Sequence, residues 1–287
     1  MSRSGKLFKN KINLFGIIGC FLCVGVLYYR VFENLVHDWG QLPDFSHGFL
    51  IPFVSLYLVW DRRQILGKLN VRPDATGYLI LLTGIFLLFL GNLAHENFIM
   101  RISFLFVISG IMIALLGWAY YKAFFFPIAF LIFMIPIPSI LLQKITFPLQ
   151  LLVSQSSQQV LGVIGVPMLR EGNIIILSNA RLEVAEACSG IRSLMSLLAL
   201  GTIVAYFTQK DRLKQAIIIF SCIPLAIIVN VMRVVITVIL TERYGSSAAE
   251  GLSHSVGGLI TFFVALILLL LIGALLSRLS RTSDINA

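Results

Sequence analysis

Long apolar segments separated by short charged loops dominate this chain. An α-helix needs about 20 apolar residues to cross the hydrocarbon core of a bilayer, and several runs reach that length without a charge. Because 58% of the residues are hydrophobic and only 12% are charged, the composition excludes an ordinary soluble protein. We therefore predict an all-α polytopic membrane protein with about eight transmembrane helices, forming one integral-membrane domain over 1–287 with no separate soluble domain. The predicted spans are 12–30, 47–60, 77–94, 98–118, 123–142, 190–208, 215–240 and 254–277.

The charges that separate these runs predict how the chain is oriented. Lysine and arginine concentrate in alternate loops, whereas glutamate and aspartate equal or outnumber the basic residues in the loops between them. Since positively charged loops stay on the cytoplasmic side, this asymmetry predicts a cell (inner) membrane protein with both termini in the cytoplasm. It also accounts for the net charge of +9, so we expect the lipid bilayer and not nucleic acid as a partner. The basic loops are 61–76, 119–122, 209–214 and the C-terminal tail, and the loops predicted on the opposite face are 31–46, 95–97, 143–189 and 241–253.

One connection, 143–189, is much longer than the others and faces the periplasm or exterior in this topology. Within it, residues 148–161 alternate apolar and polar side chains in a pattern that favours an amphipathic helix lying on the outer leaflet. Two β-prone runs follow at 173–177 and 181–185, on either side of a turn-forming Asn179. This arrangement predicts a short β-hairpin directly before Cys188.

The segment 182–193 concentrates chargeable groups immediately before the sixth predicted span. Cys188 would lie near the N-terminus of that helix, where the helix dipole and a nearby cation such as Arg192 lower the pKa of a thiol. Those conditions suit a nucleophile. The alternative is that Cys188 is a small packing residue, which is a common role for cysteine.

Two further candidates belong to the next two spans. Arg233 lies among apolar residues near the outer end of the seventh span, with Asn230 on the same helical face, and His254 begins the eighth. Ionisable residues within spans are costly and are usually functional or paired, although Arg233 could instead extend to the outer headgroups. Together Cys188, Arg233 and His254 supply a nucleophile, a cation for an oxyanion or thiolate, and a general acid or base.

Other chemistry has little support in the sequence. Arg192, Asn230 and Glu186 are accessory candidates, and Glu186 could either bind an arginine structurally or contact substrate. Cys20 and Cys23 form a C-x-x-C within the first span, which there favours packing over redox chemistry. We find no clustered ligand pair for a metal and expect no cofactor.

At several points the sequence resembles the exosortase/archaeosortase family. The resemblance is carried by 185–194 around Cys188, by 230–233, by His254, and by the earlier segments 44–48 and 135–138. It implies a membrane-embedded cysteine protease or transpeptidase that acts on secreted proteins bearing a C-terminal sorting tail. Such a tail has a Pro-Glu-Pro-like motif, a membrane helix and a basic end.

The resemblance also implies roles for the three residues. Cys188 would form an acyl thioester with the substrate, with Arg233 and His254 as its partners, before transfer to an unknown acceptor in exopolysaccharide or cell-surface assembly. One alternative is an intramembrane protease that simply hydrolyses the tail. The alternative from another class is a polytopic transporter or exopolysaccharide-export subunit without thiol chemistry.

Overall fold

A computed structural model describes residues 19–20, 22–66, 68–178, 180–184, 190–245 and 252–285. The side chains of 66, 190–191, 252–256 and 279–285 are outside that description, although their backbones are helical. The chain divides into two compact units, Met1–Ile137 and Pro138–Ala287. We describe each unit by itself.

The first unit is helical. Its elements are α1 (Tyr29–Gln41), a 3₁₀ helix (Pro43–Phe49), α2 (Ile51–Asp61), one turn at Arg63–Leu66, α3 (Thr76–Leu93), α4 (Asn97–Leu116), α5 (Trp118–Phe130) and a second 3₁₀ turn (Leu131–Met134). Its core includes Tyr28, Leu35, Leu58, Ile113 and Phe130, each less than 2% exposed.

Glycines bring α3 and α4 of this unit together. Gly77, Gly84 and Gly91 are the buried residues of α3, and their seven-residue spacing returns them to one face of the helix. A Cβ at Gly77 would lie only 2.2 Å from the backbone nitrogen of Ala114, and one at Gly110 only 2.4 Å from that of Leu81. The two backbones therefore approach as closely as small residues permit, which is how helices associate where lipid supplies no hydrophobic drive.

In its described residues, the second unit combines four helices with a small sheet. Its elements are α6 (Ser139–Ile164), β1 (Leu169–Glu171), β2 (Ile174–Ile176), β3 (Arg181–Glu183), α7 (Gly190–Thr208), α8 (Arg212–Tyr244) and α9 (Leu252–Ile285). The core between α7, α8 and α9 contains Leu197, Ile218, Cys222 and Leu269, all nearly inaccessible to solvent.

The predicted hairpin is confirmed, and one further strand joins it. β2 and β3 pair antiparallel with Ile175 opposite Leu182, and β1 adds to the other edge of β2. Gly172, at φ +64°, occupies the turn between β1 and β2, in the left-handed region that glycine adopts without strain. Ile175 and Val184 pack in an apolar cluster with residues of α6 and α8, so the sheet is anchored to the helices four residues before Cys188.

The predicted amphipathic helix is part of α6, which begins nine residues earlier than expected. Its polar side chains bind the sheet: Arg170 donates to Gln158 at 2.9 Å and Asn173 donates to Gln150 at 3.4 Å. In addition, the Ser154 hydroxyl donates to the Gly172 carbonyl at 2.9 Å. The sheet thus covers part of the face that the sequence predicts to be solvated, and the position of α6 in the outer leaflet stays a prediction.

The count of eight spans is not confirmed. Among the described residues, four helical segments are long and apolar enough to cross a membrane, at Thr76–Leu93, Asn97–Leu116, Arg212–Tyr244 and Gly257–Arg278. A fifth results only if the helices before and after the break at 135–138 form one span. The predicted second span contains only the 11-residue α2, which at 1.5 Å per residue falls well short of about 30 Å. The predicted first and sixth spans are described only in part.

Candidate active site

The structure describes some of the predicted site residues and not others. Cys188 and Glu186 lie outside the described residues. The backbone of His254 belongs to the first turn of α9, but its side chain is outside the description. Arg192, Asn230 and Arg233 are described in full, so the geometry of the site begins with them.

Arg233 is buried within the second unit. Only 9% of its surface is exposed, and the same is true of Asn230, one turn earlier on α8. A guanidinium that extends to lipid headgroups would keep its charged end accessible. The burial of Arg233 therefore argues against that alternative and leaves a functional or a paired arginine. Since an unsolvated cation is costly, it must be compensated by polar groups nearby.

Arg233 lines a small cavity between α7, α8 and α9. Its lining contains four polar residues, Arg233, Asn230, Ser193 and Thr261, and the other five lining residues are apolar. Its volume of about 10 Å³ is close to the least that holds one water molecule. The lining residues are Ser193, Leu197, Ala226, Val229, Asn230, Arg233, Thr261, Phe262 and Ala265.

This arrangement can stabilise a small negative charge. The guanidinium is always protonated and carries five N–H donors, while the Asn230 amide and the Ser193 hydroxyl are neutral donor groups. The Thr261 hydroxyl donates to carbonyls of its own helix. Apolar surroundings strengthen such interactions because the local dielectric constant is low. An oxyanion or a thiolate is the kind of group that this set of donors suits.

Arg192 is not part of this set. It is exposed in the first turn of α7, and it is absent from the cavity lining although its neighbour Ser193 is present. Successive residues on a helix are about 100° apart, so the two side chains leave the helix in different directions. The predicted accessory role of Arg192 has no support from the cavity.

Ser193 and Thr261 are site residues that the sequence analysis did not single out. Thr261 follows His254 by seven residues, so helical spacing could have placed both positions on one face of α9. Ser193 lies inside the segment that carries the family resemblance, but a serine there has no individual signal. Only the packing of three helices brings Ser193 and Thr261 to the same cavity as Arg233.

The first unit contains a second buried cation that the sequence analysis also missed. Arg101, 3% exposed, donates to the carboxylate of Asp38 at 2.6 Å. The sequence does contain a signal for this ion pair. Arg101 lies within the predicted span 98–118, and charged residues within spans are usually paired. Tyr28 and Ser103 share a buried hydrogen bond of 2.8 Å in the same unit. These contacts stabilise the fold.

His47 lies in the 3₁₀ helix of the first unit, outside the helices long enough to span a membrane. Burial lowers the pKa of its imidazole, and the smaller opposing effect comes from the backbone of Phe133 and Asp44. Burial therefore favours the neutral form of His47.

In the part of the chain that the structure describes, no group of three or more His, Cys, Asp or Glu could hold a metal ion.

Three of the four cysteines are among the described residues. Cys222 is fully buried, and its Sγ lies 3.5 Å from the Leu197 carbonyl oxygen. A Cβ on Gly201 would lie only 2.4 Å from that sulfur, so the thiol is packed tightly between α7 and α8. Cys222 thus has a packing role, and Cys20 and Cys23 are likewise free thiols.

Comparison with models of protein families gives a match over most of the chain. The model of the transmembrane exosortase family matches residues 39–271, which is well over half of the chain and includes all three predicted catalytic positions. No curated protein and no solved structure matches. With its membrane-spanning helices and this match, the chain belongs to the transmembrane exosortase family.

Proposed function

We propose that this protein is a membrane-embedded cysteine transpeptidase that cleaves C-terminal sorting tails from secreted proteins on the outer side of the inner membrane. Membership of the exosortase family and the buried cation at the α7–α8–α9 cavity support this proposal. The observation that carries it is the burial of Arg233 beside Ser193. Ser193 follows Cys188 by five residues, so the covalent chain keeps Cys188 within about 18 Å of it.

The proposed reaction begins with attack on the substrate. The Cys188 thiolate forms a bond to the carbonyl carbon of a peptide near the tail motif, and the electron pair of the C=O bond moves to oxygen. Arg233 stabilises the resulting oxyanion. The C–N bond then breaks, and His254 delivers a proton to the amine of the departing tail. The secreted protein remains joined to Cys188 as a thioester.

The second half of the reaction releases the enzyme. A nucleophilic hydroxyl or amine of a cell-surface acceptor attacks the thioester, gives its proton to His254, and displaces the Cys188 thiolate. Water in place of the acceptor gives hydrolysis. The proposed acceptor belongs to exopolysaccharide or surface assembly, as the family resemblance implies.

The test is processing of a tagged, tail-bearing substrate in cells that contain one variant at a time. We expect wild-type protein to shorten the substrate, and Cys188→Ala, Arg233→Ala and His254→Ala to leave it intact at equal abundance. Cys23→Ala is the matched control, because it removes an exposed thiol of the first unit by the same substitution. It should process normally.

Two further measurements decide between the alternatives. Hydroxylamine added to the wild-type reaction should release a substrate hydroxamate, which identifies a thioester, and mass spectrometry of the new C-terminus distinguishes transfer from hydrolysis. Normal processing by Cys188→Ala would refute the nucleophile assignment and favour a transporter or export subunit.

A further inference from the structure

A glycine on α9 lies against the buried guanidinium of Arg233. A Cβ built on Gly258 would lie 3.2 Å from Nη2 of Arg233, 3.4 Å from Cζ and 3.4 Å from Nη1. Because these three atoms are nearly equidistant from it, a methyl group at 258 would point at the flat face of the guanidinium. The hydrogen of Gly258 is what allows the planar group to lie directly on α9.

The position of Gly258 on its helix relates it to the rest of the site. Helical spacing puts positions 254, 258, 261 and 265 along one face of α9, and Thr261 and Ala265 on that face line the cavity with Arg233. Position 254 is one turn before Gly258, a rise of about 6 Å. The contact with Gly258 therefore lies between the cavity and the backbone of the predicted acid or base.

The neighbouring glycine provides a comparison. Gly257 is also within α9, yet a Cβ on it would meet nothing within 4 Å. The carbonyls of Gly257 and Gly258 both accept a hydrogen bond from the Thr261 hydroxyl, at 2.8 and 3.0 Å, and a side-chain methyl does not remove those acceptors. The two positions share helix, backbone environment and residue type, and differ in the contact with Arg233.

We propose that Gly258 is a positioning residue for the reaction: it supports the face of the Arg233 guanidinium and so sets where that cation stabilises the oxyanion. Contacts of 3.2 to 3.4 Å are tighter than ordinary van der Waals contact, so a methyl would displace the guanidinium by a few tenths of an ångström. Arg233 is buried and cannot yield toward solvent. Misplacement of this order lowers the rate of an enzyme whose catalysis depends on preorganised charge. This inference rests on the proposed function for its effect on rate, but not for the contact itself.

The first experiment compares processing rates of Gly258→Ala and Gly257→Ala in the full-length protein. Both substitutions raise helix propensity equally. We expect Gly257→Ala to process at the wild-type rate and Gly258→Ala to process about tenfold more slowly, as misplaced catalytic groups do. Introducing Arg233→Lys into both variants should reduce this difference to less than about twofold, since an ammonium lacks the planar face that the methyl displaces. A purely structural role for Gly258 would preserve the difference.

The second experiment does not depend on activity. Thermal unfolding in detergent is measured for Gly258→Ala and Gly257→Ala, each with Arg233 and with Arg233→Ala. With Arg233 present, the melting temperature of Gly258→Ala should be about 2–4 °C below that of Gly257→Ala. In the Arg233→Ala background, the two melting temperatures should be equal.

The outcomes separate the two proposals. If wild-type protein does not process the substrate, the proposed function fails while the unfolding cycle still decides the contact. If wild type is active but the two alanine variants match in rate and in unfolding, the positioning role is refuted. If the difference in melting temperature between the two alanine variants persists unchanged in the Arg233→Ala background, Gly258 serves helix packing alone. That outcome also overturns the inference.

Discussion

Gly77→Ala tests whether the close approach of α3 and α4 stabilises the first unit. The new Cβ would lie 2.2 Å from the nitrogen and 2.6 Å from the Cα of Ala114, and 2.8 Å from the carbonyl oxygen of Gly110. All three are backbone atoms of α4, so no side-chain rotation relieves the overlap. Ordinary contact begins at 3.4 Å, and the helices must therefore separate by about 1 Å at this point, which forfeits up to half of the dispersion energy of the facing atoms.

The expected cost follows from two opposing terms. Overpacking costs typically 1–3 kcal/mol, and the backbone contact puts this site near about 3 kcal/mol. Replacing a helical glycine with alanine stabilises the helix by about 1 kcal/mol through its higher helix propensity. The net loss of about 2 kcal/mol corresponds to a fall in melting temperature of about 4–8 °C.

The assay is thermal unfolding in detergent micelles, followed by far-ultraviolet circular dichroism. Gly25→Ala is the control, because its Cβ would meet nothing within 4 Å, and it should leave the melting temperature unchanged or slightly raised. Gly84→Ala should lie between the two, since the nearest backbone atom to its Cβ, the nitrogen of Val107, lies 2.9 Å away, against 2.2 Å at Gly77. Equal melting temperatures for Gly77→Ala and Gly25→Ala, or a larger loss at Gly84, would refute the reasoning.

Two further predictions concern the first unit. Asp38→Asn removes the carboxylate that pairs with the buried Arg101, so we expect a loss of about 3–5 kcal/mol in the free energy of unfolding; adding Arg101→Met should recover much of it, and no recovery in urea titrations would contradict the pairing role. Burial lowers the pKa of His47 below 6.5 in the folded protein, so the unfolded chain binds the proton first as the pH falls. Stability is then greatest above pH 6.5 and decreases as the pH drops toward the folded pKa. His47→Gln should flatten this part of the dependence of melting temperature on pH, and identical slopes for both proteins would count against it.

Part of the fold could be predicted from the sequence because the signals are local. Four predicted spans correspond to helices long and apolar enough to cross a membrane, since hydropathy over about 20 residues reports the cost of leaving water. The hairpin at β2 and β3 follows from two β-prone runs around a turn. Residues around Cys188 carried the family resemblance, which the match over residues 39–271 confirms.

Short and broken helices were harder to predict. The second predicted span contains only the 11-residue α2, and the fifth is interrupted at 131–138. Hydropathy could not reveal this, because an apolar segment that packs inside protein has the same composition as one that faces lipid. The prolines at 136 and 138 were the only local sign of the break.

The sequence by itself determined the class of the protein, its family and the candidate residues, because these depend on composition and on short motifs. The tertiary structure decided which residues come together. Arg101 binds Asp38 across 63 positions, Arg233 lies against Gly258, and Ser193 and Thr261 line the same cavity as Arg233. The physical reason is that lipid tails are as apolar as leucine, so hydrophobic periodicity does not distinguish a helix face that contacts lipid from one that contacts protein. Glycines and buried polar groups make that distinction, and their partners are known only once the helices are packed.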